Sequence, residues 1–240
     1  MVSKNQIKLI NALQLKKYRK QHQLFIAESE KVVRECIDAG LELAHLFVTQ
    51  TAIFEGFPKI IITEDDMKKL SCLSTPSPCL AVFKIPAEQP IIKEGITVVL
   101  DDIRDPGNLG AIIRLCDWFG IQQIVCSKET VDVYNPKTVM ASMGSVVRVQ
   151  VNYEDLEAFL SQYSSPIYGT FMDGNSIYET TPATTSVLVF GNEANGISPK
   201  IEAFVSQKIA IPRFGKIQKT ESLNVATATA IFLSEFSRNR

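Results

Sequence analysis

The feature that most constrains the fold is an alternation of short apolar strands with helical segments, which begins near residue 96. Continuous apolar runs such as ITVVL (96–100) and SVLVF (186–190) are separated by helical patterns such as GNLGAIIRLCDWFG (107–120). A strand that is apolar at every position is buried on both faces, as happens in parallel sheets covered by helices. We therefore predict an α/β fold with a parallel sheet, whose ligands bind beyond the carboxyl ends of the strands.

The first part of the chain predicts a separate small α/β domain. Its strand candidates are LFIAE (24–28), AHLFVT (44–49), KIIIT (59–63) and LAVFKI (80–85). One amphipathic helix is expected to open the chain and to end in the basic run KKYRK, and Ser29 and Gly40 are expected to begin and end the next helix. The segment 85–95 contains two prolines and a glycine and is the best linker. We predict domains over residues 1–90 and 91–240.

Charge is distributed unevenly along the chain. The net charge is −1, so a surface that binds nucleic acid must be local. Residues 1–34 contain eight Lys or Arg and two Glu, whereas residues 91–240 contain 13 basic and 16 acidic residues. The basic opening helix is either a solvated helix end or a surface that faces RNA, and the sequence leaves both interpretations open.

Composition excludes several classes of protein. With 45% hydrophobic and 21% charged residues, the chain is typical of a globular protein. No apolar stretch reaches the ~18 residues that a membrane span requires, and the first residues lack the apolar core of a signal peptide. Five cysteines that are never spaced C-x-x-C, together with two histidines, predict a reduced cytoplasmic protein with buried thiols and without a metal site.

Polar residues follow the strand ITVVL. Asn108 is expected to accept backbone hydrogen bonds at the start of the next helix. Arg114 falls on the side opposite a predicted buried stripe of Ile112, Cys116 and Phe119. Taken alone, it is a solvated helix arginine or a functional cation. The glycines of this segment do not form G-x-G-x-x-G, so a dinucleotide fingerprint is absent.

Two later strands are also followed by polar loops. After SVLVF, the segment GNEANGIS places Glu193 among glycines and asparagines, either as a site carboxylate or in an ordinary turn. After QKIAI (207–211), a loop with three cations leads to Ser222, whose hydroxyl is expected to cap the last helix. Asn224 is expected just inside that helix, where asparagine is a poor helix former. The three cations are Arg213, Lys216 and Lys219.

Together and in this order, N-x5-R, G-N-E-x-x-G-I-S and I-P…S-L-N-V-A-T-A resemble the three motifs of the SpoU/TrmH family, the SPOUT-class RNA 2′-O-ribose methyltransferases. The resemblance covers residues 96–240. Residues 1–85 resemble the small substrate-binding domain that precedes the catalytic domain in many members. The loop before Ser222 is about three residues longer than the family pattern, and its cations are suited to neutralising phosphates.

The resemblance implies a deep trefoil knot in the C-terminal part of the parallel-sheet domain, although threaded chains are rare in general. It also implies a homodimer and S-adenosylmethionine as the methyl donor. Backbone groups around four small or apolar residues would hold the donor, because a flat apolar ring requires close approach of the backbone. These residues are Thr170, Gly191, Ile211 and Leu223.

The same resemblance assigns roles to five polar residues. Arg114 is the catalytic arginine, expected to reach the site that contains the partner subunit's donor, and Asn108 positions it. The other members of the polar shell are Glu193, Ser222 and Asn224. Because arginine stays protonated, holding the target phosphate and stabilising the developing alkoxide is physically easier for it than acting as a general base.

Several functions remain to be distinguished. Ribosomal RNA is the favoured substrate, because a separate N-terminal domain is more typical of rRNA-directed members, and tRNA is the alternative. A non-catalytic RNA-binding module of the same fold is a rival, although a pure binder needs none of these polar residues together. A dehydrogenase with a doubly wound sheet lacks the required glycine fingerprint.

Overall fold

The computed structural model describes residues 2–217, 219 and 222–238. The helices are α1 (Lys4–Ala12), α2 (Lys16–His22), α3 (Glu30–Asp38), α4 (Glu64–Leu70), α5 (Pro106–Trp118), α6 (Pro136–Ala141), α7 (Leu156–Leu160), α8 (Pro199–Glu202) and α9 (Val225–Ser237). The strands are β1 (Leu24–Glu28), β2 (Leu43–Val48), β3 (Ile60–Ile61), β4 (Cys79–Lys84), β5 (Ile96–Leu100), β6 (Gln123–Ser127), β7 (Gln150–Glu154), β8 (Ile167–Ser176), β9 (Ser186–Phe190) and β10 (Gln207–Ala210).

The described residues divide into two compact units. The first contains residues 1–87 together with 132–148, and the second contains residues 88–131 and 149–240. The segment 132–148, which includes α6, thus belongs to the same unit as the N-terminal elements. Sequence patterns do not reveal that this segment belongs to the first unit, because its helical pattern is compatible with either unit. The domain boundary near residue 90 stays a prediction.

The second unit contains the predicted parallel sheet. Among the described residues it has six strands in the order β10-β8-β9-β5-β6-β7, and every neighbouring pair is parallel. Strands β5, β6 and β9 are buried at every position, as the continuous apolar runs predict. Helix α9 packs aromatic rings onto the sheet, with Phe232 against Phe190 and Phe236 against Tyr168 at centroid distances of 5.8 and 5.2 Å.

The first unit has a smaller mixed sheet. In the part of the chain that is described, its four strands lie in the order β1-β4-β2-β3, with β2 and β3 parallel and the other pairs antiparallel. Ser29 begins α3 and accepts a hydrogen bond from the Val32 N–H, and Gly40 follows the helix end at a φ of +76°. Both of these predicted helix ends are confirmed.

Two predicted elements differ from the structure. The single opening helix is wrong: α1 ends at Ala12 and α2 begins at Lys16, because Leu13 turns completely into the apolar core between them. The strand over SVVRVQV (145–151) begins only at Gln150, after a short 3₁₀ turn. Gly144 precedes that turn at a φ of +99°, a conformation that favours glycine and ends the helical segment.

Candidate active site

The candidate site lies where the order of the strands reverses. Strands β5 and β9 are neighbours, with Leu100 opposite Phe190 at their carboxyl ends. From β5 the chain continues to β6 and β7 on one side of β5. It later returns to place β9 on the other side of β5. In open α/β sheets this switch point is the usual place for a ligand. The loops that carry Asn108 and Glu193 therefore leave the sheet side by side.

Asn108 does not cap α5, so its predicted capping role is wrong. The helix begins at Pro106, whose fixed φ suits the first helical position, and Asp105 is the N-cap residue. The Asp105 Oδ1 accepts a hydrogen bond from the Asn108 N–H at 2.8 Å. The Asn108 side chain is consequently available for contacts outside the helix.

Asn108 joins two residues that are distant in sequence. Its Nδ2 donates to Glu193 Oε1 at 2.7 Å, and its Oδ1 accepts from Asn224 Nδ2 at 2.9 Å. We call these three residues the Asn–Asn–Glu chain. Glu193 and Asn224 are exposed and Asn108 is half-buried, so the hydrogen bonds position groups that remain accessible to a ligand.

The start of α9 fixes the direction of the Asn–Asn–Glu chain. Asn224 caps α9, and its Oδ1 accepts from the backbone N–H groups of Ala226 and Thr227 at 3.0 and 3.2 Å. Its amide nitrogen must therefore point the other way, toward the oxygen of Asn108. The nitrogen of Asn108 then faces Glu193, which as a carboxylate can only accept. One helix cap thus sets the orientation of the whole polar group.

The predicted cap of α9 is also wrong. Ser222 was expected to cap the helix, with Asn224 inside it, but α9 begins at Val225 and Asn224 is the N-cap. Asparagine is as good an N-cap as serine, and here it satisfies two backbone donors. Ser222 lies exposed two residues before the cap.

The loop that carries Glu193 is closed tightly on itself. Asn192 and Gly196 exchange backbone hydrogen bonds of 3.0 and 2.8 Å. A Cβ at Gly191 would lie 2.1 Å from the Gly196 carbonyl carbon, so only glycine fits. The Asn192 Nδ2 donates to the Asp102 carbonyl at 2.7 Å and ties this loop to the one after β5. Close packing of the backbone within the loop therefore explains why residue 191 is a glycine.

Arg114 lies apart from the Asn–Asn–Glu chain. It is exposed, on the side of α5 opposite the fully buried Ile112 and Cys116, as predicted. From Asn108 to Arg114 a helix rises about 9 Å and turns about 240°. Its guanidinium has no hydrogen bond or ion pair with any other described residue. Within one chain, the structure does not bring Arg114 to the other predicted site residues.

A cleft of about 470 Å³ opens at the carboxyl ends of β8 and β10. Of the four residues predicted to hold the methyl donor, Ile211 lines this cleft. Thr170 donates its hydroxyl to the Val189 carbonyl at 3.0 Å, and Leu223 is exposed. The cleft is lined by Met172, Asp173, Gly174, Ser176, Ala210, Ile211, Pro212 and Arg213.

Sequence reasoning missed the contribution of β8 to this cleft. The strand continues to Ser176 through an irregular stretch, where its pairing with β10 jumps from Gly169 to Asn175. This irregularity turns Met172 and Asp173 out toward the cleft. Gly174 allows the two backbones to approach, because a Cβ there would lie 2.6 Å from the Ile209 backbone. A glycine inside a strand pattern is the signal that predicts such a bulge.

The cysteines are not candidate nucleophiles. All five are free thiols, and four are buried. Burial raises the pKa of Cys36 to about 12 and the pKa of Cys79 to about 11, and it also raises the pKa of Cys116 and Cys126. Burial, with Glu28 nearby, raises the pKa of Cys72 to about 12. Thiolates are therefore scarce at neutral pH.

The described residues contain neither a membrane-spanning helix nor a cluster of metal ligands. None of the helices there is long and apolar enough to cross a membrane. No group of three or more His, Cys, Asp or Glu residues in that part of the chain is placed to hold a metal ion.

Comparison with known proteins gives the same assignment as the motifs. Residues 95–234 match the SpoU rRNA methylase family, and residues 4–81 match the MRM3-like substrate binding domain. The 23S rRNA (guanosine(2553)-2′-O)-methyltransferase RlmP of Bacillus subtilis is 29% identical, and the alignment covers 96% of each chain.

Solved structures extend the likeness to the whole fold. A structure from Porphyromonas gingivalis that is assigned to the TrmH family of RNA methyltransferases has a TM-score of 0.90 and 38% identity, over 100% of both chains. An rRNA methyltransferase from Sinorhizobium meliloti with bound S-adenosylmethionine has a TM-score of 0.87 and 28% identity, over 100% of this chain and 97% of that one. The chain therefore belongs to the SpoU rRNA methylase family.

Proposed function

We propose that this protein transfers a methyl group from S-adenosylmethionine to a ribose 2′-hydroxyl of RNA, with ribosomal RNA as the substrate. The observation that carries the proposal is the Asn–Asn–Glu chain, which joins all three family motifs at the switch point of the sheet. A protein that only bound RNA would not require this exposed and oriented polar group. The rRNA-directed relatives support the choice of substrate.

The cleft beside β8 and β10 fits the methyl donor. Its volume lies within the range of about 300–1,000 Å³ that is usual for small-molecule sites. Met172, Ile211 and Pro212 offer apolar surface to the adenine, and the Asp173 carboxylate suits the positive groups of the donor. When bound, S-adenosylmethionine supplies an activated methyl group on sulfur. We propose that Thr170, Gly191 and Leu223 border the same site through their backbone groups.

We assign the remaining steps to side chains of this chain. Arg114 holds the phosphate beside the target nucleotide and stabilises the alkoxide that develops on the 2′-oxygen. Glu193, oriented by Asn108, is placed to accept a hydrogen bond from the hydroxyl and to help remove its proton. Ser222 and Asn224 complete the polar wall.

We further propose that the active enzyme is a homodimer in which Arg114 serves the partner's site. Arg114 lies away from the Asn–Asn–Glu chain of its own subunit, so a second copy is required to supply it. Trp118, one turn further along α5, is 83% exposed, and tryptophan is typical of protein interfaces. The exposed face of α5 is therefore the proposed interface.

The fold proposal includes the trefoil knot. Helix α9 packs against α5, the first helix of its unit, and Asn224 bonds to Asn108. This return of a late segment to an early one supports a threaded C-terminal part. We also propose that residues 1–90 bind substrate RNA, that residues 91–240 catalyse the reaction, and that the enzyme is cytoplasmic.

Methyl transfer tests the function directly. The purified protein is incubated with radiolabelled S-adenosylmethionine and with unmodified large-subunit rRNA or tRNA transcripts, and the products are digested to nucleosides. We expect a 2′-O-methylated nucleoside from rRNA. Label in tRNA alone would reverse the choice of substrate, and label on a base would exclude ribose chemistry. Absence of label in both RNAs would favour the non-catalytic binding module.

Asn108→Ala tests the Asn–Asn–Glu chain. Losing both amide hydrogen bonds releases Glu193, and we expect kcat to fall about 100-fold, as for other small misplacements of reacting groups. The affinity for S-adenosylmethionine should stay within about twofold, since Asn108 does not line the cleft. Single-turnover kinetics and calorimetry measure the two quantities.

The matched control for this experiment is Gln162→Ala. The Gln162 Nε2 donates to the Ala158 carbonyl at 3.2 Å near the end of α7, and Gln162 belongs neither to the Asn–Asn–Glu chain nor to the cleft. Its loss should leave kcat unchanged. A wild-type kcat in Asn108→Ala would show that the Asn–Asn–Glu chain has no role in catalysis.

A further inference from the structure

Helix α2 carries the densest basic run of the sequence, and one of its charges points inward. Arg19 is 2% exposed, and its Nε and Nη2 donate to Asp132 Oδ2 at 2.8 and 2.6 Å. Its Nη1 donates to two backbone carbonyls at the turn between α1 and α2. The lysines of the run are exposed: Lys16, Lys17 and Lys20. The run therefore consists of one structural arginine and three lysines that face solvent.

Helix stability does not explain the two lysines in the first turn of α2. Lys16 and Lys17 open α2, where the partial positive charge of a helix N-terminus disfavours cations. The first turn has no acidic residue, and residues 1–27 of the sequence contain neither Asp nor Glu. The placement of Lys16 and Lys17 opposes the helix dipole, whereas Lys20 lies in the last turn, where the dipole favours a cation.

Helix α4 of the same unit shows the ordinary arrangement. Acidic residues occupy its first turn, and Lys68 and Lys69 occupy its last turn. Each of these lysines forms an ion pair, with Asp65 at 3.1 Å and with Asp66 at 2.8 Å. The contrast within one unit shows that the first turn of α2 departs from the usual pattern of helix charges.

Aromatic rings lie beside the lysines of α2. The rings of Tyr18 and His22 are stacked with centroids 6.5 Å apart and an interplanar angle of 23°. The Lys17 ammonium lies 5.9 Å from the centre of the Tyr18 ring. Cations beside flat rings are typical of surfaces that bind single-stranded RNA, where lysines contact phosphates and bases stack on the rings.

We propose that this face of α2 binds an unpaired segment of the substrate RNA. We call it the α2 surface, and it consists of Lys16, Lys17, Tyr18, Lys20 and His22. The inference rests on the proposed function, because it takes the RNA substrate as the ligand. An acidic protein would be attracted by the lysines but has no use for the stacked rings.

The double variant K17A/K20A tests the α2 surface, because it retains the structural Arg19. Its binding to an unmodified large-subunit rRNA transcript is measured by fluorescence anisotropy over a range of salt concentrations. Each lost phosphate contact lowers the salt slope by ~0.7 for single strands, so we expect a decrease of about 1.4. At ~0.1 M salt the affinity should fall about 10–30-fold. KM for RNA should rise while kcat at saturating RNA stays unchanged.

K68A/K69A is the matched control, since it removes the same charge from the same unit. It should change the salt slope and the affinity little. The α2 surface is excluded if K17A/K20A methylates and binds rRNA like the wild-type protein, or if both double variants weaken binding equally. If the wild-type protein itself neither binds nor methylates rRNA, the proposed function fails together with the α2 surface.

Discussion

Replacing Arg114 with alanine is expected to lower the rate of methyl transfer by about 10²–10³-fold or more, the usual cost of losing a group that stabilises developing charge. Arg114 is exposed and belongs to no hydrogen bond or ion pair of the described chain, so little folding free energy depends on it. The affinity for S-adenosylmethionine should be largely preserved. Labelled methyl transfer and calorimetry measure the two effects. Arg238→Ala, which removes another exposed arginine of the same unit, should leave the rate unchanged.

Mixing two inactive variants tests whether Arg114 acts across subunits. After exchange of subunits, a dimer of Arg114→Ala with Asn108→Ala contains one site in which both residues are intact. An equal mixture should then recover about a quarter of the wild-type activity, because half of the dimers are mixed and each has one working site. No recovery in a mixture shown to contain mixed dimers would place Arg114 in the site of its own chain. A wild-type rate in Arg114→Ala would remove the arginine from the mechanism.

Arg19→Met is expected to lower the free energy of unfolding by about 3–5 kcal/mol, the usual cost of breaking a buried ion pair. The substitution keeps an apolar stem in place of the arginine stem but leaves the Asp132 carboxylate without its charged partner, and two backbone carbonyls lose a donor. Since Asp132 begins the segment 132–148, the loss should loosen that segment from the N-terminal elements of its unit. Urea denaturation followed by circular dichroism measures the effect.

Two further variants make this prediction specific. Lys68→Met breaks a surface ion pair in the same unit and should have a much smaller effect. Replacing both partners, as Arg19→Met with Asp132→Leu, should recover part of the loss, because no buried charge then remains unpaired. Equal stability of Arg19→Met and wild type would show that the pair does not hold the segment.

The sequence predicts the parallel sheet and the loops of the site because both depend on local patterns. The run at 187–190 is apolar throughout and lies in a buried strand, and the glycines beside Glu193 close a tight loop. The caps of α5 and α9 were misassigned because several residues near each helix start can act as the cap. Which residue acts as the cap depends on where the helix begins. At α9 the cap residue Asn224 also donates a hydrogen bond to Asn108, which is 116 residues earlier.

The features that were missed depend on long-range packing. The membership of residues 132–148 in the first unit reflects long-range contacts such as the pairing of Arg19 with Asp132, which are 113 residues apart, and the ring contact of Phe25 with Tyr134. The break between α1 and α2 follows from the burial of Leu13, although helical spacing alone favours one continuous helix. The irregular stretch of β8 exists because β10 pairs with it in two separate places. No local pattern contains such information.

The dependence of Asn108 on Asn224 has a consequence for protein synthesis. A nascent chain that has emerged only as far as β10 already contains Asn108 and Glu193, but it lacks the cap that orients their hydrogen bond. The proposed active geometry is therefore completed only after α9 has left the ribosome and folded. Until then the growing chain lacks part of the proposed site, so we expect it to show no methyltransferase activity while it is still being made.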